Sequence, residues 1–279
     1  MRKNEETFMN DPVYNSISLT GVAASLAAAF GMAPPKQAEP PIPLIDRLVK
    51  NLSSGGTVDR ILMYNPDAVA MWLFQKYTDR YAPLLRHVQL TLPLRTVMPS
   101  VTPVCFGTMY TGAFPETHGI REYARPVIRI DTLFDAVLRA GKKAAIVAVA
   151  DSSMSIIFRE REMDYFIYDT NEEVNRKALE LIGQDTYDFL VVYNDDYDTN
   201  VHLHAPEGAE TLDALRADIA EFDILANAVR ESWKCHDTLI GFAPDHGCHE
   251  IGDGLGNHGT DMPEDLNILH FYGILPKNE

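Results

Sequence analysis

Short runs of apolar residues alternate with segments of helical periodicity along most of the chain. Runs such as Ala144–Ala150 are apolar at consecutive positions, which is typical of strands that are covered on both faces of a sheet. The pattern predicts strands at Arg60–Asn65, Ala144–Ala150, Asp164–Tyr168, Phe189–Tyr193, Thr238–Ala243 and Asn267–Leu275, and helices at Thr132–Ala140, Glu172–Ile182 and Leu212–Trp233. This alternation indicates an α/β fold with a mostly parallel central sheet and helices on both faces.

The residues before the first predicted strand follow a different pattern. Apolar side chains at Val22, Leu26 and Phe30 recur at helical spacing, and a proline-rich stretch follows at residues 34–43. Since proline is excluded from helix interiors and central strands, this stretch is expected to be an extended connector. We therefore expect residues 1–43 to form a helix and connector that pack on a single main domain of residues 44–279.

The same region is not typical of a targeting or membrane segment. The chain starts with more acids than bases, and the alanine-rich segment of residues 21–33 is too short and too weakly apolar to span a bilayer. The three cysteines, at positions 105, 235 and 248, form no CxxC pair and cannot build a disulfide framework. A reducing cytoplasm is the expected location.

The charge of the chain limits the classes of partner. There are 24 Lys and Arg against 40 Asp and Glu, which gives a formal net charge of −16. Such a balance argues against a protein that coats nucleic acid and against electrostatic docking on an anionic membrane. A small anionic substrate requires a local reversal of this field, which bound metal cations supply. The sequence does not indicate an oligomeric state.

Acidic and imidazole side chains follow three of the predicted strands. Asp67 comes after the first strand, the segment from Asn194 to His204 comes after the fourth, and Asp245-His246 comes after the fifth, with His258 twelve residues later. These groups are expected to lie in the loops that follow the strands, and since ligands of α/β sheets bind beyond the carboxyl ends of the strands, they are expected to converge. A mixture of carboxylate and imidazole without thiolate suits Zn, Mn or Fe, and the number of groups suffices for two metals.

A second informative stretch is Met98–Ile120, which contains hydroxyl residues among prolines and glycines. Thr102 precedes Pro103, so a helix is expected to begin there with free N–H groups at its start. A hydroxyl at this position could attack phosphorus, because a helix N-terminus attracts anions. On these residues alone, an ordinary threonine cap is the favoured interpretation.

Five motifs in order resemble the alkaline phosphatase superfamily, in particular its nucleotide pyrophosphatase/phosphodiesterase branch. The nucleophile motif of that branch, Pro-Thr-x-Thr, is similar to the segment Pro99–Thr102, and Thr-Gly-x-x-Pro-x-x-His-Gly-Ile matches Thr111–Ile120 throughout. The other three motifs match at Asp198–Pro206, with Ala205 in place of glycine, at Asp245-His246-Gly247, and at His258-Gly259; Asp67 takes the place of the aspartate that ends the first strand. The resemblance covers roughly Arg60 to Gly259.

The resemblance implies a two-metal phosphoric ester hydrolase with an alkaline phosphatase-like fold. It implies that one divalent ion binds Asp198, His202 and His258, and that the other binds Asp67, Asp245 and His246, with the oxygen of Thr102 as its ligand on the substrate side. Zinc is the expected metal, with manganese as the alternative. Thr102 is the implied nucleophile, and hydrolysis would pass through a phospho-threonine intermediate on a small-molecule phosphate ester.

Several departures from the family pattern leave the substrate open. Ala68 stands where glycine usually follows the first aspartate of the family. Cys105 aligns with the asparagine that helps to hold the phosphoryl oxygens in the diesterase branch, so the resemblance implies that Cys105 is at the substrate-binding position. About eighty residues separate His118 from Asp198, so a cap domain is expected to be small or absent. A phosphodiesterase or nucleotide pyrophosphatase is the leading hypothesis. The alternatives are a phosphomonoesterase or phosphonate hydrolase on the same scaffold, and a metal-binding protein that has lost catalysis.

Four further residues remain open for the metal sites. His204 and His249 lie near the predicted ligands and are candidates to replace or support one of them. Asp195 and Asp196 compete with Asp198, but only Asp198 has a histidine four residues later. His118 is expected to support the nucleophile segment instead of binding metal.

Overall fold

The computed structural model describes residues 12–278, so the acidic start of the predicted N-terminal segment lies outside the described residues. Seven strands form a central sheet: β1 (Arg60–Pro66), β2 (Leu90–Arg95), β3 (Ala144–Val149), β4 (Asp164–Tyr168), β5 (Phe189–Asn194), β6 (Thr238–Phe242) and β9 (Asn267–Leu275). Their spatial order is β2-β9-β6-β1-β5-β3-β4. A separate two-stranded hairpin contains β7 (His249–Gly252) and β8 (Leu255–Asn257).

The sheet is mostly parallel, as the sequence predicts. Strand β1 pairs in parallel with both β5 and β6, and β3 pairs in parallel with both β5 and β4. Strand β9 is antiparallel to both of its neighbours, β6 and β2. All six predicted strands are present with ends that agree within one residue.

Twelve helices and one 3₁₀ turn (Thr78–Tyr81) surround the sheet within residues 12–278. They are α1 (Gly21–Ala29), α2 (Pro43–Leu52), α3 (Met71–Tyr77), α4 (Ala82–Leu85), α5 (Thr102–Thr111), α6 (Pro115–His118), α7 (Leu133–Arg139), α8 (Ser153–Ile156), α9 (Asn171–Gln184), α10 (Asp196–His204), α11 (Ala209–Ser232) and α12 (Pro263–Leu266). In the described part of the chain, no helix combines the length and the hydropathy needed to cross a membrane.

The hydrophobic core lies in two layers, one on each face of the sheet. Alternate residues of β1 show this: Ile61 and Met63 pack into one layer with α1, α2, α5 and α7, whereas Leu62 and Tyr64 pack into the other with α3, α9 and α11. Because both faces of the parallel strands are buried, their sequences are apolar at consecutive positions.

Two local expectations were wrong. Pro43 is the first residue of α2 and does not belong to an extended connector, because the first turn of a helix has no partner for the N–H that proline lacks. Strand β2 was missed because Pro93 interrupts its apolar pattern. It lies at the edge of the sheet, where a missing donor is tolerated.

The stretch between His118 and Asp198 is taken up by β3, β4, β5 and the helices packed on them. This described stretch therefore contains no separate cap domain, in agreement with the sequence analysis.

Candidate metal centre

Three neighbouring parallel strands deliver the acidic and imidazole groups to one edge of the sheet. Strand β1 lies between β5 and β6, and the chain turns at their carboxyl ends. Asp67 follows β1 directly, Asp245 and His246 follow β6, and α10 begins just after β5. This is the position where ligand sites of parallel sheets form.

The first group of side chains consists of Asp198, His202 and His258, and we call it triad A. One ligand atom from each residue lies within 4.8 Å of the others. His202 Nε2 is 3.5 Å from Asp198 Oδ1, and His258 Nε2 is 3.4 Å from the same oxygen. Asp198 and His202 lie on helix α10 and not in a loop as the sequence analysis assumed, so their spacing of four places them on one helix face.

The second group, triad B, consists of Asp67, Asp245 and His246, and all three side chains are buried. His246 Nε2 is 3.3 Å from Asp67 Oδ1 and 3.4 Å from Asp245 Oδ2. The imidazole rings of His246 and His258 stack with centroids 4.1 Å apart, so the two triads are adjacent.

Thr102 lies next to triad B, with its Oγ1 atom 3.4 Å from His246 Nε2. It is the first residue of α5, and Pro103 occupies the first turn of that helix, as the sequence predicts. The hydroxyl of Thr102 therefore lies at a helix N-terminus that faces the second group of acids.

Each histidine of the two triads presents the same ring nitrogen to the carboxylates. His246 Nδ1 is 2.9 Å from Gly247 O, His258 Nδ1 is 3.0 Å from Ser100 O, and His202 Nδ1 is 3.3 Å from Gly256 O. Because a carbonyl oxygen can only accept, each Nδ1 carries the proton and donates it. In the neutral ring each Nε2 then has a free lone pair, which is the state required of a metal ligand.

The carboxylates of the triads are also poised to bind a cation. Within residues 12–278, Asp67 Oδ1, Asp198 Oδ1 and Asp245 Oδ2 are buried without a hydrogen-bond partner. They are the same oxygens that lie 3.3–3.5 Å from the histidine Nε2 atoms. Buried polar atoms without partners are costly, and a coordinated cation would satisfy all three. The residues therefore fit two divalent metals that accept mixed carboxylate and imidazole ligands.

The pKa shifts of triad B indicate that its buried carboxylates lack the positive charge that would balance them. Burial raises the pKa of Asp67 to about 8, and the charge of Asp198 contributes to the rise. Burial and the neighbouring Asp67 raise the pKa of Asp245 well above its usual range. Burial lowers the pKa of His246 to about 3, so this imidazole stays neutral and cannot balance the acids.

The other candidates from the sequence belong to neither triad. Cys105 is fully buried in the hydrophobic core on α5, so the structure lends no support to a contact between its thiol and a substrate. His118 Nε2 lies 3.0 Å from Thr108 Oγ1 and supports α5. His249 Nδ1 lies 2.7 Å from Asp265 Oδ1, and His204 is at the exposed end of α10. In the described chain, the metal-ligand groups do not include Asp195 or Asp196.

Two supporting contacts were not found from the sequence. The hydroxyl of Tyr193 donates to Asp67 Oδ2, and the Ala68 N–H donates to Asp245 Oδ1 at 3.3 Å. Ala68 has a φ of 63°, in the left-handed region that glycine adopts at little cost, which explains why glycine suits this position. Tyr193 lies in the apolar run of β5, where an aromatic residue gives no signal beyond burial.

We expect Tyr193→Phe to weaken the affinity for metal about 10- to 100-fold, because the variant leaves Asp67 Oδ2 without its donor. Metal titration of the chelated protein, followed by calorimetry, measures the change. Tyr187→Phe is the matched control: its hydroxyl donates to Asp164 Oδ2 at 2.6 Å on the edge strand β4, away from the triads. Equal losses in both variants would contradict a specific role for Tyr193.

Comparison with solved structures supports the fold. Murine ectonucleotide pyrophosphatase/phosphodiesterase 5 superposes with a TM-score of 0.54 at 14% identity, covering 70% of this chain and 58% of that chain. Phosphonoacetate hydrolase from Sinorhizobium meliloti superposes with a TM-score of 0.51 at 15% identity, covering 68% and 56%. The human ectonucleotide pyrophosphatase/phosphodiesterase 5 gives a TM-score of 0.51 at 16% identity, covering 69% and 58%. The chain thus spans less than two thirds of the length of each neighbour.

The sequence itself matches a known family. No curated protein gives a significant match to this chain. The profile of the type I phosphodiesterase/nucleotide pyrophosphatase family, however, matches residues 65–267, which is more than half of the chain and includes both triads and Thr102. The chain therefore belongs to the type I phosphodiesterase/nucleotide pyrophosphatase family.

Proposed function

We propose that this protein hydrolyses phosphodiesters through a phospho-threonine on Thr102, with two divalent metals held by triads A and B. The observation that carries the proposal is the position of Thr102 Oγ1 beside triad B, which is itself adjacent to triad A. One carboxylate oxygen of each aspartate in the two triads has no hydrogen-bond partner within residues 12–278. Zinc is the proposed metal, with manganese as the alternative, because the donors combine carboxylates and imidazoles. When bound, such cations stabilise the negative charge that develops on the attacking and leaving oxygens.

The residues of the chain bind and orient the phosphorus centre. The hydroxyl of Thr102 releases its proton to solvent, and its Oγ1 attacks phosphorus in line. The bond between phosphorus and the leaving oxygen breaks, and the leaving group departs with the electron pair and takes a proton from solvent. Water then cleaves the bond between phosphorus and Thr102 Oγ1 and restores the hydroxyl. The N-terminus of α5, a helix of ten residues, favours an anion beside Thr102 throughout.

The ligands bound to the structural neighbours are compatible with a small-molecule substrate. An inactive variant of the murine protein was solved in complex with AMP, and the bacterial hydrolase was solved in complex with phosphonoformate. Both ligands carry a phosphorus oxyanion. We propose a small phosphate ester as the substrate class of this chain as well.

The charges around Thr102 favour a diester over a monoester. Helix α5 carries no charged side chain, and a monoester, with its extra negative charge, usually recruits Arg or Lys. The arginines nearest in sequence have other contacts: Arg95 stacks on Tyr14 at 4.3 Å from the ring centroid, and Arg121 donates to Glu116 O at 3.1 Å. Both guanidinium groups therefore contact residues outside the first turn of α5.

We therefore expect a higher kcat/KM for bis-nitrophenyl phosphate than for nitrophenyl phosphate. The comparison requires one pH and one metal loading, because both change the ionisation of the site. A clear preference for the monoester would replace the diesterase assignment with the phosphomonoesterase alternative. Turnover of phosphonoacetate but neither ester would favour the phosphonate hydrolase, which the similarity to the bacterial enzyme keeps as the second candidate.

The alternative of a metal-binding protein that has lost catalysis leads to a different expected result. It would bind metal at both triads and hydrolyse none of these three substrates. Since every residue implied as a ligand is present and brought together, we favour the active enzyme.

The compartment proposed for this enzyme is the cytoplasm. Its three cysteines, Cys105, Cys235 and Cys248, are unpaired in the structure, which is compatible with a reducing environment.

A further inference from the structure

A buried amide lies in the strand that leads to Asp67. Asn65 is the penultimate residue of β1, two positions before Asp67, and its side chain is fully buried. Because β1 is a central strand covered on both faces, a polar side chain here must find its hydrogen-bond partners within the protein. The proposed reaction assigns Asn65 no role.

The amide of Asn65 joins three elements that carry residues of the site. Its Nδ2 donates to Ala243 O at 2.6 Å, and Ala243 lies between β6 and the pair Asp245-His246. Its Oδ1 accepts the hydroxyl proton of Tyr110, on α5, at 2.5 Å. Because Ala243 O can only accept, the amide nitrogen must face β6 and the amide oxygen must face α5. One side chain therefore connects β1 and β6, the strands that lead to triad B, with the helix that begins at the proposed nucleophile.

Helix α5 is held by polar contacts at both of its ends. Just before its first turn, His258 Nδ1 donates to Ser100 O at 3.0 Å, and in its last turn Tyr110 donates to Asn65. Thr102 and Tyr110 are eight residues apart, which is about 12 Å along the helix axis. Since a helix of this length is a rigid element, the contact in the last turn helps to set where the first residue of α5 lies.

The ring and the hydroxyl of Tyr110 make separate contacts. The ring packs in the core with its centroid 5.2 Å from that of Phe134 and 5.6 Å from that of Phe158. Apolar packing has no preferred direction, whereas a hydrogen bond weakens steeply when its angle or length changes. The hydroxyl bonded to Asn65 is therefore the part of Tyr110 that fixes the register of α5 against the sheet.

We propose that Asn65 is a positioning residue, which aligns Thr102 Oγ1 with triad B by anchoring α5 to β1 and β6. This role rests on the proposed function, because it concerns the nucleophile of that reaction. Within residues 12–278, the side-chain hydrogen bonds of Asn65 reach Ala243, Met109 and Tyr110, so it acts only through the elements that it joins. Alignment of the attacking atom matters for the rate, since a displacement of about 1 Å can lower it about 100-fold.

Tyr110→Phe tests the proposal, because it removes the hydroxyl and keeps the ring in the core. We expect kcat for bis-nitrophenyl phosphate to fall about 10- to 100-fold, with KM and metal content unchanged. In crystals grown under the same conditions, the separation of Thr102 Oγ1 and His246 Nε2, which is 3.4 Å in the native chain, should increase by at least about 0.5 Å. Tyr187→Phe, which loses a hydroxyl on the far side of the sheet edge at β4, is the control and should change neither.

Asn65→Leu, alone and combined with Tyr110→Phe, shows whether the two side chains act through their shared contact. Leucine has a similar shape but can neither accept from Tyr110 nor donate to Ala243. If Asn65 acts on α5 through Tyr110, adding Tyr110→Phe to Asn65→Leu should lower kcat no further. Losses in kcat that multiply in the double variant would overturn the proposal, because the two side chains would then act separately.

Three other results would also overturn the role of Asn65. The first is loss of bound metal from Tyr110→Phe, since the contact would then support the metal ligands and not the nucleophile. The second is an equal fall in kcat for Tyr187→Phe, and the third is an unchanged separation of Thr102 Oγ1 and His246 Nε2 in Tyr110→Phe. If the native chain hydrolyses none of the esters, the proposed function fails, and the separation in the crystals alone decides whether Asn65 positions Thr102.

Discussion

Thr102→Ala should lower kcat for phosphodiester hydrolysis by at least about a hundredfold, because the covalent step loses its attacking oxygen. The fold should persist, since Thr102 is at the first position of α5 and its hydroxyl has a hydrogen-bond partner only in His246 Nε2 among the described residues. Metal content should also persist, because six other side chains remain to bind the two ions. Steady-state kinetics and elemental analysis of the same preparation measure both.

Ser100→Ala is the control for this experiment. Ser100 is fully buried two residues before Thr102, and its Oγ has no hydrogen-bond partner within residues 12–278. Removing that hydroxyl should change kcat little. If the two variants behaved in the opposite way, the nucleophile would be Ser100. Acid quenching of the native enzyme with labelled substrate should trap a phospho-threonine, and Thr102→Ala should not form it.

Removal of both metals should lower Tm, and the loss should be larger at pH 8 than at pH 6. Each metal that binds only the folded state stabilises it by about 2.7 kcal/mol when its free concentration is a hundred times Kd. The pH dependence follows from Asp67, whose pKa is about 8 in the fold, far above that of an unfolded aspartate. The folded, metal-free chain keeps a proton that the unfolded chain releases, so its stability falls as pH rises through this interval.

Thermal melts with and without chelator at the two pH values measure this effect. Asp67→Asn supplies the comparison, because without the carboxylate the pH dependence of the chelated protein should shrink. A chelator effect of the same size at both pH values would contradict the role of Asp67. A Tm indifferent to chelator and to added zinc or manganese would contradict the two-metal proposal itself.

The sequence was most informative where burial alone determines structure. Strands β3 and β5 lie inside the sheet, so apolar residues at consecutive positions marked them clearly. Strand β2 was hidden by Pro93, and helix α10 was mistaken for a loop because its polar residues, Asp198 and His202 among them, follow no apolar period. The four-residue spacing between Asp198 and His202 is a helical spacing, but in the sequence it was interpreted only as part of the metal-binding motif.

The candidate site was predictable to the extent that it is built from motifs. The two triads and Thr102 come together at strand ends, where parallel topology concentrates ligands. The contact from Tyr193 to Asp67 could not be predicted in this way. It depends on which side chains from distant segments meet in the packed chain, and the local sequence around a single tyrosine does not indicate such a contact.

Helix α1 shows that the folding unit of this protein is larger than the segment that defines its family. The family profile begins at residue 65, but α1 is buried almost throughout and packs against α5 and α7. Leu19 N–H donates to Arg95 O at 2.9 Å, and the nearby Gly112 is so close to Ala38 that a Cβ there would lie 2.6 Å from that side chain. A fragment cut at the family boundary would leave the helix that carries Thr102 with an uncovered apolar side, so the limits of homology are a poor guide for dissecting this chain.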